Sequence, residues 1–174
     1  MSTGKLLSAL VLMAGVIFVT RTAFSGPNLG REVRPEEIAV WDITIPPDGS
    51  GLPPGSGTAA EGCAVYNAKC AGCHGVKGVK GPADPLVGGI GTLGSKKPVQ
   101  TVGSYWPYAT TLFDYIRRAM PFNAPQSLSN DEVYAVSAYL LFLNGIIGPE
   151  ARMDAETLPR VEMPNRDGFV SYWP

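Results

Sequence analysis

The pentapeptide Cys70-Ala71-Gly72-Cys73-His74 constrains this chain more than any other stretch. Two thiols three positions apart sit about one helical turn from each other, so both can add to the two vinyl groups of one porphyrin as thioethers. The histidine follows at once and brings its imidazole beneath the iron as the proximal axial ligand. C-x-x-C-H is the attachment signature of a c-type haem. The competing readings are a zinc half-site and a thioredoxin-like dithiol. Zinc needs two further ligands, and beyond the pentapeptide the chain offers only Cys63, with no second histidine. A dithiol enzyme has no use for His74. The motif therefore predicts one covalently bound haem c, attached at Cys70 and Cys73, with His74 on the iron.

A chain of 174 residues suggests one compact domain with extensions. Its 21 glycines and 16 prolines point to much loop, which a small haem protein tolerates because the porphyrin supplies apolar surface to pack around. Covalent haem attachment implies export, since the attachment machinery works on the outer side of the bacterial membrane. Residues 1–25 fit that expectation: Lys5, an apolar run over 6–19, then Ala23-Phe24-Ser25, a small-x-small pattern before Gly26. The run is short against the about 20 residues of a membrane span, which favours a cleaved signal peptide. Arg21 intrudes before the cleavage pattern, so an uncleaved anchor stays open. Either way the haem is expected in the periplasm or at the outer face of the inner membrane, with membrane contact only through residues 1–25. No nucleic-acid partner is expected.

Residues 26–57 hold six prolines and six glycines, and no helix is expected to run through them. Within them and just beyond Val40, residues 38–45 have the β-branched and aromatic content of an extended strand. They read as a linker laid over the domain, with a partner-docking arm as the alternative. The folded domain is expected over 58–147. Thr58-Ala59-Ala60-Glu61 is a capping box opening a helix to about Lys69, which delivers Cys70 at its end. Cys63 lies two turns before Cys70 and reads as a small buried hydrophobe. A helix is expected over about 111–119, with Leu112, Phe113 and Ile116 on its apolar face. Arg117 or Arg118 could neutralise a haem propionate, although exposure is the commoner fate of such a pair. Before that helix, Trp106 and Tyr108 can pack on the porphyrin and donate to its propionates, with simple core packing as the alternative. Ser129-Asn130-Asp131-Glu132 is a second capping box, for a helix to about Leu143 stopped at Gly145. Residues 148–174 have no clear periodicity, but Phe169, Tyr172 and Trp173 suggest a tail packed on the domain or on a partner.

This order of elements resembles the class I c-type cytochromes and implies their all-α fold, a few helices around one covalent haem. Gly81-Pro82 followed by Leu86 resembles the family segment in which a proline carbonyl accepts the imidazole Nδ1–H, here that of Pro82. Met120, opening the loop before the last helix, stands where the family takes its sixth ligand. A thioether there stabilises the ferrous state. Met153 and Met163 compete for that role but lie beyond the last helix. The family's first and last helices cross, with Tyr139 a candidate contact.

A closer resemblance rests on residues 103–122, GSYWPYATTLFDYIRRAMPF, together with residues 51–57 and 163–169. These are similar to the haem c subunit of periplasmic sulfur and sulfite dehydrogenases, most of all the Sox-pathway sulfur dehydrogenase. The resemblance implies electron transfer, with a molybdenum subunit that oxidises a sulfur compound as donor and another cytochrome or an oxidase as acceptor. This chain departs from that subunit in having a single C-x-x-C-H where the subunit carries two haems, and in starting with its own export or anchor segment. Two alternatives stay open: a stand-alone carrier to a terminal oxidase or other membrane redox complex, and a haem enzyme or ligand sensor whose sixth ligand is displaced. The single histidine and the lack of an acid–base cluster favour electron transfer without bond chemistry. Charge is uneven: residues 69–118 carry seven basic against two acidic side chains, a net +5, between ends of −2 and −4. A basic rim around the haem edge would attract an acidic partner.

Overall fold

The structure is a computed structural model and describes residues 30–39 and 41–173. The chain divides into two units, one up to Trp41 and one from Asp42 onward. Residues 1–25, with the expected signal or anchor, lie outside the described residues. Among the described residues no helix is long and apolar enough to cross a membrane.

The first unit contains helix α1, Pro35–Ala39. The proline content of residues 26–57 had argued against any helix. Pro35 is accommodated because it occupies the first helical position, where its fixed φ suits the helix and no amide hydrogen is needed. The Arg31 guanidinium donates to both Glu37 carboxylate oxygens at 2.6 and 2.8 Å, and the Arg34 amide adds a third bond at 3.1 Å. These donors hold the Glu37 pKa down to about 2. The strand-like reading of residues 38–45 is not what forms: Ile38 and Ala39 end α1, and the residues from Asp42 run irregularly.

The second unit begins well before Thr58, because residues 42–57 pack onto the helices. Ile45 is buried in the core, its amide donating to Asp114 Oδ1 at 3.1 Å. Thr110 Oγ1 donates to the Pro47 carbonyl, and the Tyr134 hydroxyl to the Pro53 carbonyl at 2.9 Å. Strand β1, Ser56–Thr58, pairs antiparallel with β2, Arg152–Asp154, in the register Gly57 opposite Met153.

Helix α2, Ala59–Lys69, starts from the predicted capping box: the Thr58 hydroxyl accepts from the Glu61 amide, and the Glu61 carboxylate accepts from the Thr58 amide at 2.8 Å. A four-residue helix α3, Ala71–His74, follows. Helix α4, Ala109–Ala119, starts two residues before the expected position. Its N-cap, Tyr108, makes no side-chain capping bond, so the sequence carries no boundary signal there. Helix α5, Asn130–Leu143, carries the second predicted capping box and is buried from Val133 through Leu141. A helix enclosed on all sides is a core element. It ends in a Schellman motif: Ile146 N–H bonds the Leu141 carbonyl, Gly145 N–H bonds Phe142, and Gly145 has φ +70°.

The core forms where α2, α4 and the tail meet α5. Tyr66, Phe113, Tyr134, Leu141 and Leu158 are fully buried, and Phe113 and Tyr134 pack with ring centroids 4.4 Å apart. Burial of one such side chain stabilises by about 1.5–3 kcal/mol. Residues after 148 complete this core with Met153, Leu158, Val161 and Met163, whereas Tyr172 and Trp173, two of the aromatics that suggested tail packing, are exposed. Phe169 is half exposed and meets the edge of Tyr105.

Candidate haem site

Cys70 ends α2 and starts α3, so the two helices present the pentapeptide at their junction. Both Cys73 N–H and His74 N–H bond the Cys70 carbonyl, at 3.1 and 3.0 Å, which fixes one tight turn between the thiols and the imidazole. Cys70, Cys73 and Cys63 are all free thiols. Cys70 is half-buried against the apolar core, and burial pushes its thiol up to about 11. Cys73 is exposed.

The segment after α3 folds back beneath His74. A side chain on Gly81 would collide with the Cys73 carbonyl and the Gly75 amide, so only glycine fits there. The Ala83 amide donates to the Cys73 carbonyl at 2.9 Å, and the Leu86 amide to Gly78 at 2.9 Å. His74 Nδ1 then lies 3.2 Å from the backbone oxygen of Asp84. A carbonyl only accepts, so Nδ1 carries the proton and Nε2 keeps its lone pair. Nε2 has no hydrogen-bond partner among the described residues. The predicted carbonyl was that of Pro82. The structure gives the role to Asp84, two residues on, because the Ala83–Cys73 bond places the following turn, not the proline, against the ring. Leu86 is half-buried against the core, as a residue lining an apolar group would be.

Asn144, at the end of α5, is a contributor that sequence reasoning missed. Its Nδ2 donates to the Leu86 carbonyl at 3.1 Å and to Leu140 at 2.8 Å, while its Oδ1 accepts from the Gly88 amide at 3.1 Å. A Cβ on Gly103 would strike this side chain. No local pattern signals a contact between residues 58 positions apart.

The remaining candidates divide. Trp106 is half-buried and meets the Tyr115 ring edge-on at 5.5 Å. Tyr108 is half-buried with the Arg166 guanidinium 5.3 Å above its ring. Arg118 is committed to Asp114, with Nη2 to Oδ1 at 2.9 Å, while Arg117 is half-buried and in no salt bridge among the described residues. Met120 caps α4, half-buried against the core, at the start of the loop before α5. Its competitors Met153 and Met163 are only 5% and 4% exposed within the core. Of the three, Met120 is the one that is only half-buried. Cys63 is half-buried, its sulfur 3.5 Å from Asn67 Nδ2.

Two thiols on one turn followed at once by an imidazole whose Nδ1 is engaged are the groups that would hold a covalent haem, and Met120 stands at the head of the loop before α5. No cluster of three or more His, Cys, Asp or Glu side chains able to hold a metal occurs among the described residues. Fold and donor set together define a c-type cytochrome.

Comparison with known proteins identifies the family. The family described as cytochrome c oxidase, cbb3-type, subunit III matches residues 57–140. The crystal structure of the sulfane dehydrogenase SoxCD from Paracoccus pantotrophus contains a chain 44% identical to this one, with a TM-score of 0.77 over 83% of this chain and 72% of that chain. Curated protein sequences give no match. The chain belongs to the cytochrome c family that includes the cytochrome subunit of sulfane dehydrogenase, and it carries covalently bound haem c. The haem supplies a one-electron couple, and the protein transfers electrons.

Proposed function

We propose that this cytochrome accepts single electrons from a sulfur-compound dehydrogenase subunit of the molybdenum type and passes them to a further cytochrome or oxidase in the periplasm. The observation that carries the reading is the 44% identity to a chain of a sulfane dehydrogenase over most of both chains. In this reading Cys70 and Cys73 hold the haem by thioether bonds, and His74 and Met120 are its axial ligands. Asp84 orients the imidazole through its carbonyl, and Leu86, Trp106 and Tyr108 border the porphyrin. A soft, neutral thioether opposite the imidazole stabilises the reduced state and suits a carrier that accepts electrons readily. Residues 58–147, together with the packed segments on either side, form the haem domain, and residues 1–25 direct export. With His74 and Met120 both supplied by the protein, a bound haem would have no coordination place open for substrate.

The test is to mix the oxidised holoprotein with the candidate dehydrogenase subunit and a sulfur substrate, and to follow haem reduction by stopped flow. Reduction at the rate of substrate turnover is expected. Reduction no faster than with substrate alone would refute the partnership.

A further inference from the structure

We propose that Asn144 is a positioning residue for the haem ligand: it clamps the loop whose Asp84 carbonyl receives the His74 Nδ1–H, and so helps set the reduction potential. The inference rests on the reading of His74 as the iron ligand. The path is continuous. The Asp84 oxygen lies 3.2 Å from Nδ1. Two residues on, the Leu86 carbonyl accepts from Asn144 Nδ2 at 3.1 Å, and the Gly88 amide returns a bond to Asn144 Oδ1 at 3.1 Å. Three of the four hydrogen bonds a primary amide can make are thereby used, one of them to its own helix at Leu140. A helix stop needs none of the loop contacts, because the Schellman bonds at Gly145 and Ile146 already close α5. The loop is otherwise tied by backbone bonds from Ala83 to Cys73 and from Leu86 to Gly78, both 2.9 Å, and from Val102 to Leu86 at 3.3 Å. Thr101 Oγ1 also donates to the Gly88 carbonyl at 2.6 Å; of these ties only Val102 shares the Leu86 carbonyl with Asn144. Asn144 is only 9% exposed, so its bonds face little competition from water. Gly103, which admits no Cβ beside it, packs the amide in place.

The sign follows from the ligand chemistry. A hydrogen bond donated by Nδ1–H makes the imidazole a stronger electron donor, which favours the oxidised iron. Loosening the clamp weakens that bond and favours the reduced form, so the potential rises.

The experiment uses the haem-loaded protein with Asn144→Ala, Asn144→Leu and a control, Gly145→Ala. The control strains the same helix end, where φ is +70°, but leaves the loop contacts alone. Spectroelectrochemistry should show an upward shift for both Asn144 variants, up to about tenfold in the reduced/oxidised ratio, or 59 mV for one electron, with none for Gly145→Ala. Asn144→Leu keeps the bulk beside Gly103, loses both loop contacts and adds no charge, so it shifts in the same direction. NMR should show the His74 Nδ1–H exchanging several-fold faster in the variants. A potential that moves no further in the Asn144 variants than in the control overturns the proposal. In the unaltered protein, the Gly88 amide and the His74 Nδ1–H, each taken relative to its own unprotected rate, should be protected to within about tenfold of one another; a Gly88 amide far less protected overturns the proposal even if no variant matures. Hyperfine shifting of the His74 resonance in the oxidised protein separates failure of the clamp from failure of the ligand assignment.

Discussion

Gly62 and Ala135 bring α2 and α5 into backbone contact: a Cβ on Gly62 would fall on the Ala135 carbonyl, and Gly57 meets the Ala135 amide in the same way. One turn further along each helix, Tyr66 and Tyr139 pack with ring centroids 5.3 Å apart. This crossing fixes where α2 ends, and hence where Cys70 and His74 stand. Gly62→Ala should destabilise the holoprotein by about 1–3 kcal/mol through overpacking, read as a lower guanidinium midpoint. A variant as stable as its parent would show that the helices part freely.

The parts of this arrangement visible in the sequence are the local ones. The pentapeptide and both capping boxes act within three or four residues, so α2 and α5 fall where Thr58 and Ser129 predict. Tyr139 was expected at the crossing, but Gly62 was not singled out, because a lone helical glycine does not say what approaches it. The choice of Asp84 over Pro82 depends on how the loop is tied to Cys73 and Gly78, which no residue of the loop announces. The tail misled for a related reason: its exposed aromatic end draws the eye, while its anchoring falls to Met153, Leu158, Val161 and Met163.

Met120→Ala should abolish the weak near-infrared band of methionine-ligated ferric haem and lower the potential. Met163→Ala should keep the band and instead cost about 2–5 kcal/mol of stability, as a core truncation does. Loss of the band on changing Met163 and not Met120 would reverse the assignment.

Cys63→Ala should leave haem content and spectrum unchanged. The sulfur contacts Asn67 on its own helix, and the thiol is half-buried. Rapid labelling of the native thiol, or a disulfide-linked dimer on a non-reducing gel, would contradict this.

Glu132 caps α5 and receives Lys69 Nζ of α2 at 2.8 Å. The lysine bond, then the Ser129 amide, hold its carboxyl below the ordinary glutamate range. A folded-state pKa below the unfolded one stabilises at neutral pH, and the gain fades as pH falls through the folded value. Glu132→Gln should therefore be less stable than the parent by about 1 kcal/mol at pH 7, allowing for the solvent exposure of the pair. The gap should close as the pH falls below the glutamate range. A gap constant with pH would show that the ion pair and charged cap contribute nothing.

Lys77, Lys80, Lys96 and Lys97 are exposed and in no salt bridge among the described residues, whereas Lys69 and Arg118 are paired with Glu132 and Asp114. Electron transfer with the natural partner should slow as salt rises, since exposed charges are screened over about 8–10 Å at physiological ionic strength. Charge reversal at Lys77, Lys80 or Lys96 should slow it more than reversal at Arg160. A rate indifferent to salt would exclude steering by this basic segment.

The most direct test of the central claim is a redox titration of the purified protein, followed optically, with carbon monoxide added to the reduced form. A covalent haem held by His74 and Met120 for electron transfer predicts one haem per chain, a single reversible one-electron transition, low-spin spectra in both states and no change with carbon monoxide. A high-spin spectrum that shifts at once on carbon monoxide binding would contradict it, and would make the iron a site for ligands rather than a relay for electrons.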